Sequence, residues 1–164
     1  MKNIVFNLMV LVLIFSIKSC GITEAGEINR QYQLMNASGV DIKITFYNTF
    51  SNTSFEAQID KNGIFLGNVL TYRSGNDQWN YPNTHFPSSA FNKSDSLKIV
   101  FGNSKYLTCK YTVGDHPYED VFSSPVGRNL FRNGNYEEIE KEKFQFKITQ
   151  QDYDNAADCN GNCD

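Results

Sequence analysis

The sequence predicts an all-β fold: an antiparallel β-sandwich of about seven or eight short strands with one short helix near the C-terminus. Three observations predict it. Apolar and polar residues alternate at period two in several separated runs. Turn-rich breaks of Asn, Gly and Ser fall between those runs. Only one short segment, near the end, carries a helix-start signal.

Residues 1–20 stand outside that fold. Lys2 supplies a positive start, Ile4 to Ile17 is apolar apart from Asn7 and Ser16, and Lys18-Ser19-Cys20 closes the segment with a small residue before a cysteine. A membrane-spanning helix needs roughly 20 apolar residues. The longest unbroken apolar run here is Leu8 to Phe15, and Lys18 stops the segment, which suits the apolar region of a signal peptide. The segment resembles the signal peptide and lipobox of bacterial lipoproteins, departing from them in Lys18, where that family usually has a small or aliphatic residue. The resemblance implies cleavage after Ser19, diacylglycerol on the Cys20 sulfur, and a fatty acyl chain such as palmitate on its new amino group. Gly21, where an Asp would favour inner-membrane retention, leans the implied address towards the outer membrane and leaves its periplasmic or outer side open. More than one acyl chain makes such an anchor durable, since each buried methylene contributes about 0.8 kcal/mol.

Residues 20–29, with few apolar side chains, read as a flexible tether, and residues 30–164 as a single domain. Tyr32 and Leu34 alternate with Gln31 and Gln33; after Asn36-Ala37-Ser38-Gly39 the run Val40, Ile42, Ile44, Phe46 alternates with polar neighbours. This is the pattern of two half-buried antiparallel strands. Phe55, Ala57 and Ile59 repeat it, and Asn62-Gly63 before Ile64-Phe65-Leu66 predicts a tight hairpin. Val69 to Tyr72 extends the sheet. Leu97, Ile99 and Phe101 lead through Gly102-Asn103-Ser104 into Tyr106 to Tyr111, a second hairpin. Asn133-Gly134 marks a turn, the charge-dense Glu137 to Lys143 reads as a solvated face, and Phe144, Phe146 and Ile148 form a late strand. Thr149 with Asp152 three places on resembles a capping box and predicts a two-turn helix over Gln150 to Asp158. The patterns Tyr32-Gln-Leu34-x-Asn36-x-Ser38-Gly39 and Phe146-x-Ile148-Thr149-x-x-Asp152-Tyr153 resemble the small β-rich lipoproteins of unknown function found in Bacteroidota. That resemblance implies the architecture and brings no catalytic residues.

Lys2 and Lys18 are two of 15 basic side chains set against 18 acidic ones, so the chain beyond the signal carries a formal charge of −5. Mild acidity argues against nucleic acid or an anionic lipid surface as the main partner. In an exported protein disulfides persist. Cys159 and Cys163 are expected to bridge within a polar tail, leaving Cys109 as a buried thiol; a bridge from Cys109 to one tail cysteine is the alternative.

The sequence holds no nucleophile elbow, no zinc-protease motif and no phosphate loop. His116, in Asp115-His116-Pro117, reads as a loop histidine, and its pairing with Cys109 is unsupported. Asp158, Asn160, Asn162 and Asp164 alternate through the tail at spacings similar to a calcium loop, but the glycine is misplaced and no bidentate Glu follows. No metal, cofactor or catalytic activity is expected. Asp95-Ser96-Leu97 resembles the hydroxyl-glycosylation site of exported Bacteroidota proteins. The stretch 72–91 gathers Tyr72, Trp79, Tyr81, His85, Phe86 and Phe91 among Asn and Asp side chains. Aromatic faces beside amides suit sugar rings, whereas a loop of this kind also folds back to bury its aromatics. The leading expectation is a non-enzymatic binding or structural module anchored in the outer membrane through Cys20, with a glycan or protein partner. The alternative is a surface glycan-binding lipoprotein using residues 72–91.

Overall fold

A computed structural model of the protein describes residues 27–73, 86–112, 121–124 and 127–163. Two sheets pack face to face as the predicted all-β sandwich. In one, β4 (Ile64–Leu66), β1 (Glu27–Ala37), β10 (Lys143–Thr149) and β9 (Glu137–Glu140) lie side by side, and β5 (Leu70–Arg73) continues along β1 beyond β4. In the other the order is β11 (Ala157–Asp158), β7 (Lys105–Thr112), β6 (Ser96–Phe101), β2 (Ile42–Asn48), β3 (Thr53–Ile59), with β8 (Val121–Ser123) beside β7. Two five-residue helices, α1 (Phe86–Ala90) and α2 (Gln150–Asp154), and a 3₁₀ turn at Asn133–Asn135 complete the described residues.

The core follows from the alternation. Tyr32 and Leu34 of β1 and Phe146 and Ile148 of β10 turn inward from one sheet. They meet Ile42, Ile44, Phe46, Leu97, Ile99, Leu107 and Cys109 from the other in one continuous cluster. Fully burying each large apolar side chain contributes about 1.5–3 kcal/mol. At one place the two sheets are stitched by rings: Phe46 stacks on Phe55 at 4.6 Å and on Phe91 at 5.2 Å, and Phe65 of β4 stacks on Phe46 at 6.2 Å. Gly67 permits this approach, because a Cβ there would lie 2.9 Å from Phe91 Cε1 and 3.1 Å from the Tyr32 carbonyl oxygen.

Several local expectations are corrected. β1 and β2 do not pair; they belong to opposite sheets, and the chain crosses between them at residues 38–41. β3 and β4 likewise separate, so Asn62-Gly63 is a crossing and not a hairpin turn. One pairing departs from the antiparallel pattern: β1 runs parallel to β10, from Gln31 opposite Lys143 to Ala37 opposite Thr149. β1 begins at Glu27, so the last three residues expected as tether are strand. Glu137–Glu140 is an exposed edge strand, whose charges discourage further strand addition. The capping box at Thr149 and Asp152 is present, but its helix ends at Asp154, and Ala157–Asp158 pairs with β7. The hairpin of β6 and β7 stands as predicted.

The crossing between β1 and β2 has its own physics. Asn36 is fully buried. Its Nδ2 donates to the carbonyls of Val40, Ile59 and Asp60 at 2.8–3.0 Å, and its Oδ1 accepts from Ser38 N and Ser38 Oγ. One amide therefore ties the end of β1 to the start of β2 and the end of β3.

Candidate functional site

The sandwich has two distinct ends. At the entry end β1 begins with Glu27 opposite Arg73. Arg30, nearly buried, holds Glu142 at 2.8 Å in the turn between β9 and β10 and lies over the Phe144 ring at 4.9 Å. Burial opposes the Arg30 charge, but the hydrogen bonds with Glu142 and Tyr32 outweigh it and raise the affinity of the guanidinium for its proton. The turn between β2 and β3 closes the same end of the other sheet.

At the far end, a cleft of about 480 Å³ opens on the outward face of β2, β3 and β6. Asp41, Lys43, Gln58, Asp60, Val100 and Asn103 line it. Period-two alternation turns Lys43 outward between the buried Ile42 and Ile44. Asp41 is fixed by the Lys61 N–H, which donates to its Oδ1 at 2.8 Å, and the Gly102 N–H donates to its carbonyl. Lys43 lies 3.7 Å from Glu56. Carboxylate, amide and ammonium side chains thus line one cleft, a composition suited to a polar ligand or a polar stretch of a partner.

The C-terminal tail lies on the outward face of the same sheet. Cys159 and Cys163 are bridged with their Cα atoms 4.9 Å apart. Both cysteines pack on Val100 and Tyr106, Lys98 Nζ donates to the Cys163 carbonyl, and the Cys159 N–H donates to the Ser104 carbonyl at 2.9 Å. The expected pairing is therefore present, and Cys109 is a free, buried thiol. It borders a void of about 10 Å³ beside Leu130, Phe146 and Ile148, the size of a single water. Burial pushes its thiol pKa up, only partly offset by the neighbouring Leu130 backbone, which makes it a poor nucleophile. Burial likewise pushes the Tyr136 hydroxyl well above its usual range; it donates to the Leu130 carbonyl at 2.8 Å.

Of the residues singled out for ligand binding, Trp79, Tyr81 and His85 lie outside the described residues, as do Cys20 and His116. Tyr72 lies in β5 opposite Ile28, and Phe86 opens α1. Phe91, at the end of the same stretch, is buried in the core. Ser96 of the Asp95-Ser96-Leu97 motif begins β6 and donates to Asp95 Oδ1 at 3.1 Å. In the tail, Asp158 pairs with Lys105 in the sheet, and among the described residues no three His, Cys, Asp or Glu side chains cluster as metal ligands. The far-end cleft was not anticipated from sequence. Asp41 and Asp60 are adjacent only because β2 and β3 pair from Ile42 with Ile59, and that register was the one available signal.

No protein family matches the sequence, and neither the curated proteins nor the solved structures contain a match to it.

Proposed function

We propose that the chain is a lipid-anchored protein of a bacterial outer membrane, held through Cys20, that acts as a non-enzymatic binding or structural module. The observation that carries this reading is the segment of residues 1–20, a positive start, an apolar run and Ser19 before Cys20, and β1 starts at Glu27, seven residues after that cysteine. A domain joined so closely to an acylated residue is cargo held at the bilayer. The Cys159–Cys163 bridge supports export, since disulfides persist in oxidising compartments. The cleft between Asp41 and Asp60 opens at the end away from Glu27, where a tethered domain meets partners.

The second reading, glycan binding by residues 72–91, rests on their aromatic and amide composition. The described part of the stretch adds nothing to it: Arg73 pairs with Glu27 in the sheet, and Phe91 is buried in the core.

Membrane fractionation with a Cys20→Ala control tests the anchor: the variant should move from the membrane fraction to the soluble envelope fraction. A variant that stays with the membrane would remove Cys20 as the attachment point. Protease shaving of intact cells, with a C-terminal tag and a periplasmic marker, then reports the side of the outer membrane. A glycan panel with Trp79→Ala tests the second reading, which fails if the unmutated domain binds no sugar.

A further inference from the structure

Phe50, at the tip of the turn between β2 and β3, is fully exposed. A lone exposed aromatic is ordinary on a protein surface, but this one stands on a braced support. Asn48 Nδ2 donates to the Lys93 carbonyl at 3.0 Å, the Thr49 N–H donates to Asp95 Oδ2 at 2.9 Å, and the Ser51 N–H donates to Asn48 Oδ1 at 2.9 Å. These bonds tie the turn to the connection between α1 and β6 and hold the ring away from the core. Residues 48–53 carry no ionisable side chain, and the nearby Asp95 carboxylate is already engaged by Thr49 and Ser96.

The tip lies at the entry end. Phe46 packs on Phe65, which is opposite Leu34 in β1. β2 runs back from the crossing and ends at Asn48, and the turn beyond it carries Phe50 past the level of Leu34 towards the end at which β1 enters. Seven residue steps from Cys20 to Glu27 span at most about 25 Å even when fully extended. The eleven residues of β1 span roughly 33 Å. With Cys20 acylated, the end that carries Phe50 is thus the end held near the bilayer, and the cleft is directed away from it.

We propose that the Phe50 turn is a membrane-docking element, which inserts its ring at the boundary between headgroups and acyl chains of the membrane that holds the Cys20 anchor. The inference rests on the anchoring reading. An uncharged, hydrogen-bonded turn presents an aromatic ring to that boundary without desolvating a charge. Together with the anchor it gives the domain two attachment points, which fix its orientation and keep the Asp41–Asp60 cleft facing outward.

The test uses the full lipidated chain, purified from membranes and reconstituted in vesicles of phosphatidylethanolamine and phosphatidylglycerol. A polarity-sensitive fluorophore is attached through Phe50→Cys or, at the far end, through Lys61→Cys. Cys109 is buried and Cys159 and Cys163 are bridged, so with Cys20 acylated the introduced thiol is the one that labels. The expected result is a blue-shifted label at position 50, quenched roughly twofold or more by lipids brominated on the acyl chains, and an unaffected label at position 61. Protein that carries its acyl mass and floats with the vesicles, but shows both labels in water or both equally quenched, would overturn the docking element alone. Protein without acyl mass on Cys20 would overturn the anchor and, with it, the docking element.

Discussion

Replacing Asn36 tests whether one buried amide holds the two sheets in their crossing. Asn36→Ala removes five hydrogen bonds. Not all are lost without compensation: Asp60 O still accepts from Gly63 N, and Val40 O still accepts from Ser38 Oγ. The Ile59 carbonyl and the Ser38 N–H each lose a bond in a buried setting, and each such loss costs about 1–3 kcal/mol. The expected destabilisation is therefore about 2–4 kcal/mol, a large share of the roughly 5–15 kcal/mol typical of a domain. Asn36→Asp keeps the shape but sets a carboxylate oxygen against three carbonyls, and should cost more than Asn36→Ala at pH 7. Burial and the facing carbonyls raise the folded-state pKa of the introduced carboxyl above its unfolded value of about 3.9. The folded state then holds the extra proton, so the penalty is full above the raised pKa and shrinks as pH falls through it towards the unfolded value. The Asn36→Ala penalty should change little over the same range. Urea unfolding of residues 20–164 with Cys20→Ala, followed by circular dichroism between pH 4 and 7, measures both. An alanine cost under about 1 kcal/mol, or an aspartate variant with no acid recovery relative to alanine, would refute the assignment.

Gly67→Ala should cost about 1–3 kcal/mol, since its Cβ would meet Phe91 and the Tyr32 carbonyl; a thermal melt at or above the unmutated Tm would contradict that packing. The Cys109 thiol, with its pKa raised by burial, should resist a disulfide-exchange reagent at pH 8 in the native protein and react fully once unfolded in guanidinium; rapid native reaction would mean the thiol is accessible. Opening the Cys159–Cys163 bridge with a double Ser substitution releases a loop of sequence separation 4 and should lower stability by about 2 kcal/mol without unfolding the sandwich. A denaturant midpoint that collapses entirely would mean the tail is part of the core and not a latch on its outer face.

Local information in the sequence was sufficient for the strands with clear alternation, insufficient for β8, β9 and β11, and insufficient for how the strands pair. Period two in Ile42 to Phe46 and Leu97 to Phe101 reports which face each strand buries, and those residues form the core as expected. The hairpin of β6 and β7 was readable because its turn and its two strands are contiguous. The parallel pairing of β1 with β10 was not, since a hundred intervening residues separate strands whose patterns are equally compatible with other neighbours. Asn36 and Asn62-Gly63 look like hairpin punctuation, yet both mark crossings between sheets. The deciding fact is what the Asn36 side chain bonds to, and spacing does not encode that. The capping box was legible because the Thr149–Asp152 reciprocity is local; the early stop after Asp154 was not, since it depends on Ala157–Asp158 finding β7. As for function, the proposed lipobox is read from one contiguous segment, whereas the Asp41–Asp60 cleft exists only through strand register.

The most direct measurement is the intact mass of the protein extracted from the membrane fraction of cells that express it, with Cys20→Ala alongside. A lipid-anchored protein has lost residues 1–19 and carries diacylglycerol and fatty acyl mass on Cys20, while the variant carries none. A membrane-associated chain with an unmodified Cys20, whether residues 1–19 are retained or removed, would contradict the lipid anchor and the membrane-proximal orientation built on it.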